Sequence, residues 1–75
     1  MDPKACLAMC DQSISDCELQ TARELLREYH EWRGRGGFEP LEVAGTMMRG
    51  DVFAGHCARR IADLTAQQEN EHGTP

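Results

Sequence analysis

The stretch Ser15–Arg33, SDCELQTARELLREYHEWR, decides the fold. Ser15 stands three residues before Glu18, the spacing of a capping box in which the hydroxyl accepts the Glu18 N–H and the carboxylate accepts the Ser15 N–H. Ile14 before the cap and Leu19 inside the helix complete a hydrophobic staple. From there Leu19, Ala22, Leu25, Leu26, Tyr29 and Trp32 recur at helical spacing and form one stripe roughly 140° wide. Gln20, Arg23, Glu24, Arg27, His30 and Glu31 make the opposite face, where Glu24 with Arg27 and Arg27 with Glu31 are spaced for modest ionic support. The pattern predicts a helix over 16–33, roughly 27 Å long, as the scaffold of the fold.

Toward the N-terminus, Asp2 and Pro3 read as an N-cap and a first helical residue, and predict a short helix over 3–10. Asp11, Gln12, Ser13 and Ser15 then interrupt it, because such side chains compete for backbone hydrogen bonds. Toward the C-terminus, Gly34-Arg35-Gly36-Gly37 closes the long helix, and Phe38 is expected to tuck back under the turn. Pro40 opens a further short helix over 40–49 with Leu41, Ala44 and Met48 on one face, Gly50 ends it, and Asp51 caps a last helix over 52–66. There Phe53, Cys57, Ile61 and Leu64 form a narrow apolar stripe, and Ala54, Ala58 and Ala62 a small-residue shoulder that another helix can approach closely. Residues 67–75 carry no apolar side chain and read as a disordered acidic tail. With no strand pattern and no repeat, the expectation is an all-α domain over residues 1–66. It is a small three- to four-helix bundle, its long helix packed against the last and the short helices closing the ends.

A chain of 75 residues buries only about 60% of the surface its unfolded form exposes, so such a domain needs support from disulfides, a metal, self-association or very regular packing. Aromatic residues are scarce, and Leu, Ile, Val, Met and Ala must fill the core. The N-terminus has neither a basic region nor an apolar run of signal-peptide length, and no stretch approaches a membrane span. A cytoplasmic protein without a membrane partner is therefore expected. Seven Arg against one Lys suggests a GC-rich bacterial, phage or plasmid gene. Residues 1–31 hold seven acids and three bases, 32–60 three acids and five bases, and 61–75 three acids and no base. That balance lacks the broad basic face of nucleic-acid binders, which counts against such a partner.

Four cysteines remain to be placed. Cys6 and Cys10 lie one above the other on the first helix, Cys17 falls in the first turn of the long helix at the positive end of its dipole, and Cys57 is in the last apolar stripe beside His56. In a reducing compartment Cys6, Cys10 and Cys57 read first as small buried side chains and Cys17 as a partly exposed one. A zinc or copper(I) site drawn from Cys6, Cys10, Cys17, His56 and Cys57, with the soft Met9, Met47 and Met48 nearby, is the alternative, and disulfides are a third reading.

Catalysis has no support: His56 and Cys57 point in different directions on a helix, His30 lies on a polar face, and the acids do not converge. No small-molecule substrate is implied. Arg33–Phe38 contains one RGG-like fragment, which reads as a helix stop, and 41–64 fits a DNA-binding helix-turn-helix poorly, since Gly45 and Asp51 fall where apolar packing is needed. The functional expectation is a non-enzymatic interaction or regulatory module that docks a helical face on a protein partner or on itself as a homodimer. Tyr29, Trp32, Arg33, Arg35 and Phe38 form its interaction surface, by their interface-like mix of aromatics and arginine. A Cys/His metal module and a DNA-binding regulator are the alternatives.

Overall fold

The computed structural model describes residues 2–73, with side chains described to Gln68. Among them there are three helices and no strand: α1 (Pro3–Ser15), α2 (Leu19–Gly34) and α3 (Gly50–Gly73), each packed against the other two. No described helix is long and apolar enough to cross a membrane.

Asp2 caps α1 as its sequence suggests, its side chain accepting from the backbone N–H of Lys4 at 3.0 Å and of Ala5 at 3.3 Å, with Pro3 in the first turn. The helix does not stop at residue 10. Cys6, Leu7, Cys10, Ser13 and Ile14 are all buried, a continuous stripe at i, i+1, i+4, i+7 and i+8, apolar except for Ser13, that carries α1 to Ser15. This overturns the capping box. Ser15 is the last residue of α1 instead of the cap of α2, and the cap residue of α2 is Glu18, whose side chain makes no capping bond. The physical reason is a contest of magnitudes: a cap contributes about 1 kcal/mol, whereas burying the Ile14 side chain on α1 contributes roughly 1.5–3 kcal/mol. The α1–α2 corner closes through the N–H of Glu18 donating to Ser13 O at 2.8 Å, with Cys17 in the left-handed region at φ 60°. Cys17 is thus an exposed turn residue and does not belong to the first turn of α2.

The α2 stripe is placed as its spacing requires, with Leu19, Ala22 and Tyr29 buried and Leu25, Leu26 and Trp32 half-buried against the core. The ionic pairs on its outer face do not form: Glu24 instead accepts from the Gln20 amide at 3.2 Å, and the ion pairs among the described residues are Arg33–Asp51 and Arg60–Asp11.

No helix occupies 40–49. Ala44 (φ 53°) and Gly45 (φ 74°) take the left-handed conformation, which a right-handed helix cannot include, and the Thr46 N–H and hydroxyl both donate to Val43 O in a tight turn. Val43 is buried while Leu41, Met47 and Phe38 are exposed, Phe38 at 86%, so Phe38 does not tuck under the α2 terminus. The loop is nonetheless pinned at its end, where the Gly50 N–H donates to Pro40 O at 2.7 Å and the Asp51 N–H to Glu39 Oε1 at 3.1 Å.

α3 begins at Gly50 and runs past residue 66 to Gly73, because Thr65-Ala66-Gln67-Gln68 contains nothing that breaks a helix even though the apolar stripe has ended. The expected disordered tail over 67–75 lies partly outside the described residues, at 74–75. Phe53, Ala54, Cys57 and Ile61 enter the core shared with α1 and α2.

Candidate functional site

The buried cysteines sit where the helices meet. The Cys6 thiol donates to Leu25 O at 3.2 Å and the Cys10 thiol to Ala22 O at 3.3 Å, so both spend their proton on carbonyls of α2. Burial, with the nearby Glu28 charge, pushes the Cys6 thiol up. The neighbouring Cys57 thiol and then burial push the Cys10 thiol up. These groups behave as small core side chains that also satisfy their own polar atoms. Cys17 and His56 are exposed, and among the described residues no three of His, Cys, Asp and Glu are grouped to hold a metal ion. The five residues expected to form a zinc or copper site are therefore not brought together.

The expected interaction surface divides in two. Tyr29 is buried, its hydroxyl donating to Asp51 Oδ1 at 2.7 Å. Arg33 grips the same carboxylate with two bonds, Nε to Oδ1 at 3.0 Å and Nη2 to Oδ2 at 2.9 Å, and donates from Nη1 to Gly37 O at 2.6 Å. These two residues tie the C-terminal end of α2 to the start of α3. Trp32, Arg35 and Phe38, with Gly36 and Gly37, surround an open pocket of ≈ 530 Å³ at the α2 terminus.

Within the Tyr29–Asp51–Arg33 knot, the Asp51 carboxyl is pulled down to about 2 by the Arg33 hydrogen bond first and the Tyr29 hydrogen bond second. Tyr29 is pushed up, mainly by burial and then by the bond to Asp51. Asp51 binds its proton less readily folded than unfolded. Its stabilising contribution is therefore present above about pH 4, the usual carboxylate range, and is lost as pH falls toward 2. Urea titrations between pH 5 and pH 2 should show a declining stability whose slope is flatter in Asp51→Asn, since asparagine can still accept from Tyr29 but carries no charge to titrate. Equal slopes would remove Asp51 from the acid response.

A further feature of the surface was not singled out from the sequence. Between α2 and α3 an open apolar groove of ≈ 630 Å³ is lined by Arg23, Leu26, Arg27, His30 and, from α3, by Ala58, Ile61, Ala62, Thr65 and Ala66. No α1 residue lines it. That helix covers the other side of the pair, bonding to Ala22 and Leu25 of α2 and reaching α3 through Cys57 and the Asp11–Arg60 pair. Half-buried Leu26 and buried Ile61 lie at its base, and the exposed alanine row Ala58, Ala62, Ala66, spaced by four and spanning about 12 Å along the helix, forms its α3 side. Arg23, Arg27 and His30 form its polar wall, with the Arg23 guanidinium donating across to the Thr65 hydroxyl.

Fold and site together define a three-helix domain with one side of its α2–α3 pair left open. The chain matches no family model, no curated protein and no solved structure.

Proposed function

We propose that the protein is a small non-enzymatic interaction module that takes a helix of a partner protein into the α2–α3 groove. The observation that carries this reading is the groove itself, which is apolar, long enough for about two turns and bordered along α3 by side chains no larger than a methyl group. Exposed alanines at four-residue spacing let a second backbone come close, while half-buried Leu26 offers the apolar surface that a partner's larger side chains would bury. A shallow, open groove suits a helix better than a small molecule, which binds best where most of its surface is enclosed. The metal reading has no grouped donors among the described residues, and the DNA-binding reading lacks the helix over 40–49 that it required.

A designed amphipathic peptide of about four turns, with leucines on one face and glutamines elsewhere, tests the reading by amide chemical-shift mapping. Shifts should concentrate at Arg23, Leu26, His30, Ala58, Ala62 and Ala66, and should vanish in Ala62→Trp, whose exposed position leaves the fold intact while the indole fills the groove. Shifts gathered at Trp32, Phe38 and Met47 would move the docking surface to the α2 terminus and its loop, and an unchanged response in Ala62→Trp would remove the groove as the site.

A further inference from the structure

We infer that the helix taken by this groove belongs to a different protein and carries acidic residues along its flanks, an inference that rests on the docking reading above. The argument is one of charge placement. The chain has a formal net charge of −5, yet one wall of its apolar groove carries Arg23, Arg27 and His30. Two arginines elsewhere in the fold are ion-paired, Arg33 with Asp51 and Arg60 with Asp11, whereas the groove lining holds Arg23 and Arg27 and no acidic residue. Arg23 and Arg27 are in no ion pair among the described residues; Arg23 is held only by the neutral Thr65 hydroxyl, which leaves its charge uncompensated there. A partner helix lying on Leu26, Ile61 and the alanine row would run its flank beside these two guanidinium groups, where Asp or Glu gains and Lys or Arg is repelled.

The same placement argues against a second copy as the occupant. Two grooves brought face to face around a two-fold axis would set two positively charged walls into one interface, between chains that already repel through their net charge.

The test compares two synthetic helices that share one leucine face, one flanked by glutamates and the other by lysines, titrated against the full chain by calorimetry. The glutamate peptide should bind roughly tenfold more tightly at low salt, the scale of two partly exposed ion pairs, and the gap should narrow at high salt. Arg23→Glu with Arg27→Glu should invert the preference. Both side chains are exposed, and circular dichroism checks that the helices remain. Should the double reversal fail to fold, Arg23→Gln with Arg27→Gln should erase the preference without inverting it. Equal binding of both peptides, still blocked by Ala62→Trp, would overturn the acidic partner and leave the docking reading standing. Binding of neither, or binding indifferent to Ala62→Trp, would remove both. Dimerisation of the chain alone that is lost in Ala62→Trp would make the second copy the occupant and overturn the inference.

Discussion

Leu7→Ala should lower the free energy of unfolding by about 3 kcal/mol, within the 2–5 kcal/mol range for emptying a buried leucine site. Leu7 has no exposed surface and sits in the cluster that α1 shares with α2 and α3. At about 0.05–0.15 kcal/mol per residue, a chain of this length has roughly 4–11 kcal/mol in total, so the single change removes about a quarter or more of it. Urea denaturation followed by circular dichroism should show the midpoint falling with the slope unchanged. Met9, two residues on and 57% exposed, provides the control, since Met9→Ala should stay within about 0.5 kcal/mol. If the two variants lose equal stability, α1 is not docked through Leu7.

That contrast also marks how far the sequence could be read. Asp2 and Pro3 announce the start of α1 without ambiguity, and the α2 stripe from Leu19 to Trp32 predicts its buried face correctly because both signals are local. The end of α1 is misread for a physical reason. Ser13 and Ser15 are weak helix formers and Ser15–Glu18 matches a cap, so every local preference favours stopping, whereas the decision rests on Ile14 reaching a core built by residues far along the chain. The same limitation governs 40–49. Pro40 and the Leu41, Ala44, Met48 spacing imitate a helix, but the segment instead spans from α2 back to α3 and is held by Val43 burial and a left-handed pair at Ala44–Gly45.

The candidate site was half legible. Ala58 and Ala62 were readable as a shoulder made for a close helix neighbour, and Leu26 as an apolar position. What no periodicity reveals is that α1 packs on the opposite side of the pair and leaves that shoulder uncovered. Arg23, Arg27 and His30 looked like an ordinary solvated face until α3 was laid beside them. Tyr29 and Arg33, read as interface residues from their chemistry, are drawn inward by Asp51, a partner 18 to 22 positions away.

Gly50→Ala should destabilise the protein by about 1–3 kcal/mol, and Gly55→Ala should stabilise it by up to about 1 kcal/mol, although both glycines lie in α3. Replacing a helical glycine by alanine is favourable by up to about 1 kcal/mol on backbone grounds alone, and less in the first turn where Gly50 stands. At Gly55 nothing lies within 4 Å of the added methyl group, so the gain is kept. At Gly50 the methyl carbon would stand 2.5 Å from the Pro40 ring and 2.5 Å from the Tyr29 hydroxyl. Neither neighbour can give way cheaply. Pro40 is buried and its carbonyl accepts the Gly50 N–H, while Tyr29 is packed in the core with its hydroxyl committed to Asp51. Relief therefore requires opening the loop from α3 or breaking the Tyr29–Asp51 bond, and either exceeds the helix-propensity gain. Thermal melts of the two variants should move in opposite directions, with tyrosine fluorescence or amide exchange near Asp51 disturbed only in Gly50→Ala. A Gly50→Ala melt that rises with that of Gly55→Ala would show that the loop does not close tightly over the start of α3, and that Tyr29 and Arg33 are free to serve at the surface after all.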